Sequence, residues 1–193
     1  MGSARLSAIL AGLFVLGALP LLFLRPAGSA GAGLSAGFLH PLESGLHITL
    51  FICVGLWAVR LGREASSMLP LSFVLMLVIG LTSEVGIAQF PYGRMVIFAA
   101  VMLFAMVVSL GYTRAFLISV AISSAVAFYL GVRYAAYFPS IASAGYYLLG
   151  VCISVLLVIA AGMSLAMTLR GHMPPLLGRF RKIPAVAAFL SFF

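Results

Sequence analysis

A chain of 193 residues that is 64% hydrophobic and only 7% charged, with a mean hydropathy of +1.26, has too little polar surface to cover a water-soluble fold of this size. Soluble domains carry roughly 25% charged residues, so the deficit alone places the chain in a lipid bilayer. The net charge of +8 does not describe a nucleic-acid surface, because the basic residues are scattered singly at the ends of apolar runs, where they act as topology signals.

Apolar runs of about 18 to 25 residues are long enough to cross a hydrocarbon core of ~30 Å as helices. Six are expected, at 6–24, 36–59, 67–88, 95–112, 115–137 and 143–169. With short connections between them, they predict an all-α polytopic membrane protein: one membrane domain over 1–193, built as a compact bundle of six transmembrane helices plus a short C-terminal apolar segment. That segment, 183–193, begins at Pro184 and is either an interfacial helix, half of a crossing or the stump of a longer helix. The first run, 1–30 with its flanks, has Arg5, an apolar core from Leu6 to Leu24 and then Ala27-Gly28-Ser29-Ala30, the pattern of a signal anchor as well as of a cleaved secretory signal. A retained first helix is the expectation.

Placing the N-terminus in the cytoplasm puts Arg5, Arg60, Arg63, Arg114, Arg170, Arg179, Arg181 and Lys182 inside and Arg25, Arg94 and Arg133 outside, an eight-to-three bias that selects this orientation. It sets His40 at the outer end of the second run and brings Glu84 near the outer end of the third. Cys53 and Cys152 lie in the middle of apolar runs with no metal-ligand or redox spacing, so buried free thiols are expected.

The second run holds two of the three histidines and one of the three carboxylates, Glu43, within Gly37-Phe38-Leu39-His40-Pro41-Leu42-Glu43-Ser44-Gly45-Leu46-His47. Ionisable groups at membrane depth lose their hydration and persist mainly where they pair, line an aqueous path or bind something. Pro41 lacks an amide hydrogen and restricts the residue before it. It therefore suits the first turn of a helix capped by His40, with 34–39 as a non-helical or re-entrant approach; the alternative is a longer helix kinked at Pro41. Glu43 and His47, four apart, share a helical face, with His40 one turn above Glu43. Two imidazoles and a carboxylate suit a borderline cation such as nickel, cobalt or zinc. A straight helix separates His40 from His47 by about 10 Å of rise, so a shared ion would need a ligand from another helix. The residues equally suit structural roles: capping by His40, attraction of Glu43 to a helix N-terminus and interhelical bonding by His47.

The run Gly37-Phe38-Leu39-His40-Pro41-Leu42, followed by Val54-Gly55-Leu56-Trp57-Ala58 and Leu69-Pro70-Leu71-Ser72-Phe73-Val74-Leu75, resembles the HupE/UreJ family of bacterial nickel and cobalt permeases, with similar helix lengths over most of 34–170. That family's first motif is His-Pro-x-x-Gly-x-Asp-His, and His40, Pro41 and His47 match its first, second and last positions. Ser44 replaces the glycine, Leu46 replaces the aspartate, and Glu43 is the acid nearest to the missing one. The second motif, His-Gly-x-x-His-Gly-x-Glu, falls best on Leu130 to Tyr137. Only Gly131 is retained there; Leu130, Tyr134 and Tyr137 replace its histidines and glutamate, and Arg133 adds a positive charge. The resemblance implies Ni2+ or Co2+ as the transported species, a bacterial inner membrane and no required cofactor; His40, Glu43 and His47 are expected as the entry site, with Glu84, near the same outer layer, as an added ligand.

Tyr129, Tyr134, Tyr137, Tyr146 and Tyr147 flank the expected outer boundary and read as an aromatic belt. The basic tail in 171–193, with Arg170 before it, reads as contacting anionic lipid, with a partner subunit as the alternative. Two functions follow: a nickel or cobalt permease, or a non-transporting accessory subunit of a larger membrane complex that reuses the scaffold, touching its partners through Ser123-Ser124-Ala125 and Ala160-Ala161-Gly162. No nucleophile–base pair or hydrolytic metal motif is visible, so the protein is not expected to be an enzyme.

Overall fold

The computed structural model describes residues 29–62, 64–83, 92–110, 116–136 and 144–169. The expected runs at 6–24 and 183–193, the basic tail and Glu84 lie outside them. Every regular element among the described residues is helical: α1 Ser29–Leu39, a 3-10 turn His40–Leu42, α2 Gly45–Leu61, α3 Ala65–Thr82, α4 Gly93–Leu110, α5 Phe116–Ala135 and α6 Ala144–Leu169. Three of them, α3, α5 and α6, are long and apolar enough to cross a bilayer, and a fourth crossing is added if α1 and α2 are taken as one broken span. α4 is apolar but shorter.

The expected single run at 36–59 is two helices, bent by 79°. The expected non-helical approach does not hold, since 34–39 is helical; the arrangement is nearer the kinked alternative, with the break falling just beyond Pro41 and α2 starting at Gly45. The ring of Pro41 supplies no amide to continue the α-helical ladder, and the chain tightens into the 3-10 turn. The Glu43 amide still donates to the carbonyls of Leu39 and His40, at 3.1 and 3.4 Å. Ser44 then turns extended (φ −113°, ψ 119°), and α2 starts at Gly45. Residues 29–35, expected as a connection, are helical because tertiary packing supplies what their Gly and Ser propensities lack. They belong to the helix that lies along α6.

Glycines set three close helix crossings. A Cβ on Gly37 would overlap the Tyr147 carbonyl and one on Gly150 the Leu34 carbonyl, which seats α1 on α6. Gly55 meets Ile159 and Gly162 meets Ile52, seating α2 on the same α6, while Gly80 against Phe128 and Gly131 against Leu77 draw α3 onto α5. Bilayer helices associate by packing rather than by expulsion from water, so such approaches supply much of the contact available. The internal role of Gly162 corrects its expected place on a partner-facing patch. Ser123 is likewise fully buried.

Between these pairs the core holds Phe51 edge-on to Phe73 (5.9 Å, 85°) and Trp57 against Phe104 (5.3 Å). α4 rests mainly on α2 and touches α5 only lightly. Leu71, Leu75, Met95, Phe98 and Leu117 are exposed, as lipid-facing side chains should be. Both cysteines are free, Cys53 buried and Cys152 only half-buried.

Candidate metal site

The break at Ser44 changes what the His-Pro segment can do. On a straight helix His40 and His47 stand two turns apart, but here the turn between them lets both imidazoles pack on one phenol ring. The Tyr134 ring of α5 lies 4.5 Å from the His40 ring and 5.3 Å from the His47 ring.

Each imidazole is also held by a tyrosine hydroxyl. Tyr134 Oη is 3.1 Å from His47 Nδ1, and Tyr147 Oη, from α6, is 3.1 Å from His40 Nδ1. When Nδ1 carries the proton, the ring donates to the phenol oxygen and Nε2 keeps its lone pair for a ligand. The same arrangement orients metal-binding histidines generally, through a hydrogen bond on the nitrogen away from the ion.

Both tyrosines were expected in an outer aromatic belt. Instead Tyr134 is 1% exposed and Tyr147 is fully buried, because their hydroxyls find partners inside the bundle. Tyr146, one residue from Tyr147, is exposed. The available signal lay in the resemblance, whose second motif sets a histidine at the position of Tyr134.

His40, Glu43, Ser44, Leu46, His47, Arg94, Ile97, Arg133 and Tyr134 line a pocket of about 380 Å³ between the broken span, the start of α4 and the end of α5. Glu43 and Arg94 are exposed and Arg133 is half-buried. The Arg133 guanidinium lies over Gly93, where a Cβ would come within 2.8 Å of its Cζ and Nε atoms. Three of the four expected metal residues, His40, Glu43 and His47, are thus brought to one pocket, and Glu84 lies outside the described residues. No group of three His, Cys, Asp or Glu side chains close enough to hold an ion occurs among the described residues. What the arrangement offers is two oriented imidazoles, one carboxylate and two guanidiniums.

An apolar cavity of about 220 Å³ adjoins this pocket through the shared Ile97, between α2, α4 and α5. Leu130, at the first histidine position of the second motif, lines it, as does Tyr129. The substitution of histidine by leucine is therefore matched by apolar surroundings.

No curated protein and no solved structure matches this chain. The family model described as HupE / UreJ protein matches residues 13–190, wider than the expected 34–170, and the chain belongs to the HupE/UreJ family.

Proposed function

We propose that this family member is a secondary permease for nickel or cobalt, with His40 and His47 as ligands at the outer site and Glu43 as the accompanying acid. The observation that carries this reading is the pair of tyrosine–histidine hydrogen bonds, which fix both imidazoles beside one pocket. Imidazole suits both metals, and hydroxyl partners on Nδ1 supply the orientation that ligating histidines need. In this reading Glu84 is an added ligand, and the full chain makes six crossings with its N-terminus in the cytoplasm of a bacterium. The protein works by binding and release, without covalent chemistry or a resident cofactor.

Accumulation of nickel and cobalt in metal-transport-deficient cells expressing the chain tests this. Native protein should accumulate metal, and His40→Ala and His47→Ala at matched membrane levels should not. Unchanged uptake in both variants would remove the reading.

The two arginines on the pocket favour a second reading, in which the scaffold no longer transports and serves as an accessory subunit of a membrane complex. A free dication is repelled by guanidinium, and the second family motif has lost its histidines and glutamate. Gentle extraction followed by identification of co-purifying chains would separate the two, since a subunit should bring a stoichiometric partner.

A further inference from the structure

α4 and α5 touch lightly, at the end where the Arg133 guanidinium lies over Gly93 and the last turn of α5 meets the first turn of α4. One turn further along, the two helices part. Ile97 and Ala100 of α4 face Val126 and Leu130 of α5 across the apolar cavity of about 220 Å³, with Leu50 of α2 as its floor. Val96 and Ala125, at its edge, are both exposed, so the cavity is a notch that opens sideways onto the lipid-facing surface.

The chemistry of the lining decides what can fill it. An enclosed water needs about two to four polar partners. The one polar side chain on the notch is Tyr129, whose hydroxyl oxygen is itself buried and has no hydrogen-bond partner among the described residues. Left empty, the notch would strip contacts from α4, which rests on α2 and has little else to hold it. An apolar occupant entering from the bilayer avoids both costs, and about 220 Å³ holds roughly seven methylene-sized groups at ~30 Å³ each. A charge stands at the helix end above it: Arg94, in the first turn of α4 and one turn before Ile97, is exposed where a guanidinium reaches lipid phosphate. Arg94 also borders the histidine pocket, which holds Glu43.

We propose that the notch between α4 and α5 is a phospholipid seat, with one acyl chain against Ile97, Ala100, Val126 and Leu130 and the phosphate at Arg94. The chain supplies the packing that the two helices do not give each other. Ile97 walls both the notch and the histidine pocket, so the seated lipid also backs one side of that pocket. The seat goes beyond the permease reading and does not depend on nickel.

Native mass spectrometry and thermal unfolding of the full chain, purified in mild detergent and stripped of lipid, test it. Phosphatidylglycerol is the probe, and diacylglycerol with the same chains is the arm without phosphate. The native protein should hold one phosphatidylglycerol per chain, more tightly than diacylglycerol, and unfold at a higher temperature when it is added. Ala125→Phe, which puts a ring into the notch from its exposed edge, should lower retention at least about tenfold and abolish the thermal response. Leu117→Phe, at a more exposed position of the same helix away from the notch, should keep both. Arg94→Gln should weaken phosphatidylglycerol about tenfold and leave diacylglycerol unchanged.

Native protein that retains no phosphatidylglycerol and shows no thermal response would overturn the proposal. Retention in Ala125→Phe equal to the native would overturn it too, by placing the lipid elsewhere on the bundle. So would diacylglycerol binding as tightly as phosphatidylglycerol, with Arg94→Gln indifferent, since the notch would then take any apolar chain. None of these outcomes bears on nickel uptake, which stands or falls on the histidine variants.

Discussion

Tyr134 of α5 reaches His47 of α2 with its hydroxyl 3.1 Å from Nδ1, while its ring packs 4.5 Å from His40. One side chain, at the position where the family carries a histidine, thereby fixes both imidazoles of the first motif. It contacts both histidines of the broken span through one ring and one hydroxyl.

Tyr134→Phe deletes that hydroxyl and little else. Loss of an outer hydrogen bond to a ligating histidine typically costs about 10- to 100-fold in metal affinity. A single neutral hydrogen bond contributes only about 1 kcal/mol to folding. Nickel affinity should therefore fall with little change in thermal unfolding in detergent, and equal affinity in the two proteins would reduce Tyr134 to a packing role.

Gly37 and Gly45 flank the same turn and should respond oppositely to alanine. At Gly37 a Cβ would overlap the Tyr147 backbone, forcing α1 off α6 and carrying His40 away from the Tyr147 hydroxyl; overpacking of this kind costs about 1–3 kcal/mol. Gly45 has nothing within 4 Å of such a Cβ. Thermal unfolding should fall for Gly37→Ala and hold for Gly45→Ala, and a tolerated Gly37→Ala would contradict the α1–α6 crossing.

Trp57 is the one tryptophan of the chain and is 2% exposed against Phe104. Its fluorescence should be blue-shifted and insensitive to iodide. Quenching by iodide in the folded protein would mean that α4 does not lie on α2 as described. Truncation to alanine should destabilise by about 3–5 kcal/mol, the usual range for a buried Trp.

Arg60, in the last turn of α2, donates through Nη1 to the carbonyl of Val108 in the last turn of α4. Terminal carbonyls lack helical partners, and a guanidinium also complements the negative end of the helix dipole. Arg60→Ala should raise amide hydrogen exchange in the last turn of α4, whereas the first turn should exchange as before. Equal exchange at both ends would show that the contact does not hold α4.

The helical cores of α3, α5 and α6 were legible because apolar length is a property of local sequence. Their ends were less so: α3 begins at Ala65 rather than 67 and ends at Thr82, where the Ser83 amide folds back onto the Gly80 carbonyl. The break before α2 was half legible. Pro41 announced a disturbance, but whether the chain would cap, kink or turn depended on the packing of 29–39 along α6, made possible by Gly150 more than a hundred residues away. His40, Glu43 and His47 stood out as ionisable groups in an apolar run. Tyr134 and Tyr147 did not, since amphipathic rings near a membrane boundary serve equally at headgroup level or inside a bundle, and only a partner for the hydroxyl decides between them. Arg94 and Arg133 stand in the sequence as topology signals, and their place beside the histidines arises only from tertiary packing.

Transport by the purified chain alone, reconstituted in proteoliposomes containing a nickel-sensitive dye, tests the central claim most directly because no partner subunit is present. Nickel entry that is lost in His40→Ala and His47→Ala is the expected result. Correctly folded native protein that moves no nickel or cobalt would contradict the permease reading.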